Sequence, residues 1–152
     1  RLVLADLLTF AAEQRPSLML DAATLTGAAR VALGPDLPAL FTNDEEIAAA
    51  LSAAGEACND PLWRLPLHEG YASWLDSPVA DTNNVGSRPM AGSIVAALFL
   101  HRFVPNDIRW AHLDVYAWND ATRPGRPEGG EAMSLRALHA GVMAMLPVWA
   151  GA

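Results

Sequence analysis

The sequence predicts an α/β fold: a three-layer α/β/α sandwich on a mainly parallel or mixed sheet. Three observations carry this expectation. Leu18-Met19-Leu20, entered after Pro16, is an apolar run too short for a helix and without polar alternation, as in a strand covered on both faces. Arg109 to Ala117 alternates, with Trp110, His112, Asp114 and Tyr116 on one face and Ala111, Leu113, Val115 and Ala117 on the other. Segments of helical spacing stand between such runs, so strand and helix alternate along the chain.

Taken in order, Leu2, Leu4, Leu7, Leu8, Ala11 and Ala12 give the first helix its apolar spacing. No capping residue precedes it, and Arg1 puts a cation where the helix dipole favours an anion. A helix without a proper start suggests a chain cut at its N-terminus, and an incomplete sheet is expected. The strand at Leu18 is expected to end at Asp21. Ala22 to Ala28 then packs small residues, two hydroxyls and Gly27 into a strand-to-helix junction. A short helix over Ala28 to Leu33 stops at Gly34-Pro35.

Leu37 to Thr42 reads as a strand. Asn43 and Asp44 cap a helix from Glu45 to about Ala57, with Glu45 and Glu46 in its first turn, and Asn59-Asp60-Pro61 breaks it. Trp63 to Pro66 is extended, and His68 to Leu75 is a short helix with Tyr71, Trp74 and Leu75 on its apolar side. Ser77 to Met90 is a long irregular segment, of the kind that carries function or flexibility. Gly92 to Phe103 is an apolar helix. After the strand at Arg109, Trp118 to Gly130 reads as a loop and Glu131 to Leu146 as the closing helix. Residues 1–147 form one domain, and 148–152 a tail expected to fray.

Bulk properties narrow the function. The 152 residues carry a net charge of −7, and all ten basic residues are arginine. With a pI near 4.9 there is no basic stripe for phosphate, so nucleic acid is not an expected partner. No run approaches the ~20 apolar residues of a membrane span, and no secretory leader opens the chain, so a cytoplasmic protein away from membranes is expected. Cys58 is alone, which excludes an internal disulfide and a thiolate cluster.

Two groups of residues are candidates for chemistry. Asp21, Asp81, His112 and Asp114 could bind a divalent ion if the fold gathered them. Strand-end carboxylates of this kind also serve simply to bond loops and helix N-termini. The turn Ala23-Thr24-Leu25-Thr26-Gly27 is the second candidate. Ligands of open α/β sheets sit outside the carboxyl ends of strands, and small residues there let backbone groups approach a ligand. Thr24 or Thr26 could equally cap the following helix.

Asp21-Ala22-Ala23-Thr24-Leu25-Thr26-Gly27-Ala28 resembles the D-x-A-T-L-T-G-A signature of the leucyl aminopeptidases, the cytosol aminopeptidases of peptidase family M17. Trp63-Arg64-Leu65-Pro66, Ala80-Asp81-Thr82-Asn83-Asn84 and Trp110-Ala111-His112-Leu113-Asp114 follow in the family's order, so the resemblance covers nearly the whole chain. The family's N-T-D-A-E-G-R-L motif would place Arg1-Leu2 as its last two letters.

The resemblance implies a metalloaminopeptidase that releases N-terminal amino acids from peptides by two-metal hydrolysis, with Mn or Zn as the divalent ions. The family's metal ligands, a lysine and four carboxylates, would all precede Arg1. None is therefore expected among these residues, and the 152-residue chain is expected to be inactive alone. Arg1 matches a catalytic arginine that holds bicarbonate. Thr24, Leu25 and Gly27 match positions whose backbone groups bind that ion and the peptide. Tyr116 stands where many members have a small residue bordering the pocket for the substrate's first side chain, and should shrink or reshape it. Arg123 to Gly130 also diverges. The resemblance implies a homo-hexamer in the cytoplasm. Two other readings are a non-catalytic degenerate relative or oligomer-contact module, and an independent metallohydrolase using Asp21, Asp81, His112 and Asp114.

Overall fold

The computed structural model of the chain describes residues 1–149. Five helices are α1 Leu2–Ala12, α2 Gly27–Leu33, α3 Glu45–Ala57, α4 Gly92–His101 and α5 Leu135–Trp149. A four-stranded sheet contains β1 Leu18–Ala23, β2 Ala39–Thr42, β3 Trp63–Arg64 and β4 Arg109–Asp114, in the order β1-β4-β2-β3. The sheet is mixed: β1 runs parallel to β4, β2 antiparallel to β4, and β3 parallel to β2.

The β1–β4 register pairs Met19 with Trp110, Asp21 with His112 and Ala23 with Asp114. Side chains alternate across a strand, so this register decides what each face meets. Met19 and Trp110 pack with Ala5 and Leu8 of α1 and Val95 and Phe99 of α4, while Phe41 packs with Ala29 of α2 and Ala97 of α4. On the other face Leu40, Ala111 and Leu113 meet Ile47 and Leu51 of α3 and Ala137 and Met145 of α5. Helices thus cover both faces, the expected three-layer sandwich. Gly141 lets α5 lie directly on α3, since a Cβ there would stand 2.7 Å from a methyl of Leu51.

Several expected boundaries move, each for a tertiary reason. β1 does not end at Asp21 but runs to Ala23, because that carboxylate is bonded to side chains of the neighbouring strand. β4 ends at Asp114, level with the end of its partner, and the chain bends away at Ala117, whose φ is 54°. The segment from Trp118 to Gly130 is not all loop: β5 Trp118–Asn119 pairs antiparallel with β6 Gly129–Gly130. α5 starts at Leu135 rather than Glu131 because Asp60, from the α3–β3 connection, receives the N–H groups of Ser134, Arg136 and Ala137. That helix continues past Leu146 to Trp149; the end of the expected tail, 150–152, lies outside the described residues. Residues Glu69–Leu75 form a 3-10 helix, with Tyr71 and Trp74 stacked 4.3 Å apart.

The outer edge of β1 has no strand partner among the described residues. Beside it, α1 leaves Leu2, Val3, Leu7 and Phe10 more than half exposed. Apolar groups left open on this scale mark a surface suited to contact with another chain or segment.

Candidate binding site at the strand ends

The turn after β1 is fixed by one residue of β4. Asp114 is 2% exposed and accepts four hydrogen bonds. Oδ1 receives the N–H groups of Leu25 at 3.1 Å and Thr26 at 3.0 Å. Oδ2 receives the hydroxyls of Thr26 at 2.5 Å and Ser93 at 3.1 Å. A buried carboxylate is tolerated only when its lone pairs are satisfied in this way. Thr26 in turn caps α2, its hydroxyl oxygen accepting the N–H of Ala29 at 3.2 Å. The cap is therefore Thr26 rather than Thr24.

With Asp114 holding it, the turn opens onto a cavity of about 340 Å³ whose lining includes Thr24, Thr26, Gly27, Arg30, Asp114 and Tyr116. A Cβ on Gly27 would meet no atom within 4 Å, so the glycine keeps open space in front of the backbone. The side chain of Leu25 turns instead into the core beside α1 and α4. Its N–H donates to Asp114, which leaves its carbonyl as the group it can offer a ligand. Three expected residues, Thr24, Gly27 and Tyr116, line one cavity; Leu25 forms the turn behind it.

Tyr116 donates its hydroxyl to Asp120 at 3.0 Å, and the Arg30 guanidinium lies 4.5 Å above its ring. In the sequence Arg30 is one polar residue in a short helical pattern, with no local signal that sets it apart. Only the contact between α2 and the segment after β4 gives it a place in the cavity wall.

Arg1 does not line this cavity; it stands in the wall of a neighbouring one, with Ala28, Val31, Gly86 and Gly92. Its Nη1 donates to the Asn84 carbonyl at 2.6 Å, within the irregular Ser77 to Met90 segment, and its guanidinium stands 5.8 Å from the centre of the Phe99 ring. Burial lowers its pKa below the ordinary value, and the nearby Asp114 carboxylate opposes that shift. The same irregular segment is tied down by Thr82 and Asn83 bonds to Leu75 and by Arg102 to Thr82.

The four candidate metal ligands are not brought together. Asp21 contacts His112 Nδ1 at 2.5 Å and receives Trp110 Nε1–H at 2.8 Å. Asp114 is committed to the turn, and Asp81 is exposed on the irregular segment. Among the described residues no group of three or more His, Cys, Asp and Glu is placed to hold a metal ion. These four do not fit a divalent ion. The independent metallohydrolase is thereby set aside, since Asp21 and His112 serve the sheet, Asp114 serves the turn, and Asp81 stands apart from them.

The fold and this turn define an α/β domain with a cavity at the carboxyl ends of β1 and β4, where ligands of open α/β sheets sit. The model of the cytosol aminopeptidase family, catalytic domain, matches residues 1–139, and the chain belongs to that family. A "Probable cytosol aminopeptidase" of Synechococcus sp. (strain CC9605) is 44% identical over 140 residues, which are 91% of this chain and 28% of that protein. The crystal structure of a cytosol aminopeptidase from Coxiella burnetii superposes with a TM-score of 0.89 at 54% identity, over 93% of this chain and 31% of that one. A tomato leucine aminopeptidase (mutant K354E) superposes with a TM-score of 0.81 at 38% identity, over 93% of this chain and 27% of that one. The chain thus spans less than a third of the length of these relatives. None of the described helices is long and apolar enough to cross a membrane.

Proposed function

We propose that this chain is the substrate-facing part of a metal-dependent aminopeptidase that releases N-terminal residues from peptides. The observation that carries the reading is the Asp114-braced turn, which presents Thr24 and Gly27 to a cavity walled by Tyr116. Membership of a peptidase family and a cavity at the strand ends support this reading. In this reading the backbone around Thr24, Leu25 and Gly27 aligns the peptide, which suits an enzyme that must accept many sequences. Tyr116 borders the first side chain and narrows its pocket.

Two divalent ions, Mn or Zn, would polarise the scissile carbonyl and supply a hydroxide. The residues described here do not fit those ions, and in this proposal residues other than these 152 hold them. Arg1 serves as the catalytic arginine: with one N–H on Asn84, its guanidinium keeps donors for a planar anion such as bicarbonate. The intact enzyme is proposed to be a cytoplasmic homo-hexamer.

The test is release of a chromogenic amine from leucyl 4-nitroanilide with Mn²⁺ or Zn²⁺. The full-length protein should show metal-dependent turnover that drops on Arg1→Ala, and the 152-residue chain alone should show none. Turnover by the short chain would overturn the assignment of the ligands elsewhere. Absence of turnover in the metal-loaded full-length protein would favour the non-catalytic reading, an oligomer-contact module, for which the open edge of β1 and the bare face of α1 are suited.

A further inference from the structure

We infer that the cavity between Arg30 and Tyr116 selects a carboxylate-bearing side chain, so that the preferred first residue of the peptide is glutamate or aspartate. The inference rests on the proposed aminopeptidase reading and names the substrate class for its pocket.

Two charged residues line the cavity, Arg30 and Asp114. Asp114 cannot answer a ligand: it is 2% exposed, and its two oxygens already accept four hydrogen bonds. Its charge is also offset locally by Arg1. Arg30 is the reverse case. It is an exposed helical side chain, and among the described residues it forms no ion pair or side-chain hydrogen bond. Its one contact of note is the Tyr116 ring, 4.5 Å from the guanidinium carbon. Such stacking occupies the flat face of a guanidinium and leaves its in-plane N–H donors to bind a carboxylate through both oxygens.

The neighbouring anions do not neutralise it. Asp36 pairs with Arg123 at 2.8 Å, and Asp120 accepts the Tyr116 hydroxyl without lining the cavity. The remaining wall fits the stem of an acidic side chain, with Pro35, Leu37 and Val115 offering apolar surface to its methylenes. The volume, about 340 Å³, lies at the lower end of the range for ligand pockets and suits a single side chain. The net charge of −7 on these 152 residues does not draw acidic peptides in from a distance, so their part in the selection has to be local, at hydrogen-bonding distance.

The experiment compares kcat/KM of the Mn²⁺-loaded full-length protein on glutamyl, aspartyl, leucyl and lysyl 4-nitroanilides. The acidic substrates should exceed leucyl, and Arg30→Ala should lower the acidic-to-leucyl ratio by about tenfold, the worth of one charge-assisted hydrogen bond in a half-open site. Arg30→Lys should restore part of that ratio, and Arg30→Glu should shift preference towards lysyl. A leucyl-active enzyme whose ratio is unchanged by Arg30→Ala overturns the inference and leaves the aminopeptidase reading standing. An enzyme inactive on every substrate overturns both.

Discussion

The Thr26 hydroxyl and the Asp114 carboxylate, 88 residues apart in sequence, lie 2.5 Å apart. One hydroxyl thereby caps α2 and, through Asp114, clamps the end of β1 to the end of β4. Thr26→Ala removes both bonds and should cost about 2–3 kcal/mol in urea unfolding, whereas Thr26→Ser keeps the oxygen and should cost far less. Asp114→Asn places an NH₂ group against donors and should be worse than Thr26→Ala. If both variants melt like the parent, the clamp is not what holds the turn.

Asp21 supports two buried rings, accepting from Trp110 Nε1 and meeting His112 Nδ1. Asp21→Ala leaves both nitrogens without that partner, and His112 Nε2 already has none. The expected loss is about 2–4 kcal/mol, with Asp21→Asn intermediate because an amide oxygen can still serve one ring. Thermal and denaturant unfolding of the two variants gives the comparison.

His101 stacks on Trp110 at 5.4 Å, and its Nε2 is buried without a hydrogen-bond partner. Burial lowers its pKa from the ordinary value of 6.5, with Glu69 pulling weakly the other way. The unfolded chain therefore binds this proton more readily than the folded one. The contribution of His101 is complete above pH 6.5 and is lost as pH falls from there through the lower folded value. Unfolding at pH 7.5 and 5.5 should show a smaller acid loss in His101→Gln than in the parent; an equal loss would refute the linkage.

Tyr116 fills space at the cavity wall that a smaller residue would leave open. Tyr116→Ala should raise kcat/KM for phenylalanyl over alanyl substrates by about tenfold, within the range a hydrophobic pocket can discriminate. The same change removes the ring under Arg30, so acidic preference should fall as well.

The bare face of α1, beside the β1 edge that has no strand partner among the described residues, should make the isolated 152-residue chain self-associate. Sedimentation velocity should show species larger than the monomer, shifted back towards it by Phe10→Glu with Leu7→Lys. A monodisperse parent chain would speak against that surface as a contact.

What the sequence determined by itself is what neighbouring residues decide. α3 starts and ends where the Asp44 cap and the Asn59-Asp60-Pro61 break place it, and its cap bond to Ile47 N forms as expected. The alternation from Arg109 announced the strand β4, and the shared motifs announced the family. Only the tertiary structure decided the rest. Asp60 sets the start of α5 from a distant turn, Asp114 braces a loop on another strand, and Arg30 becomes part of a pocket by lying on Tyr116. The physical reason is that a carboxylate or guanidinium takes its role from the groups that approach it in space. Those partners are tens of residues away, where local propensity and periodicity carry no record of them.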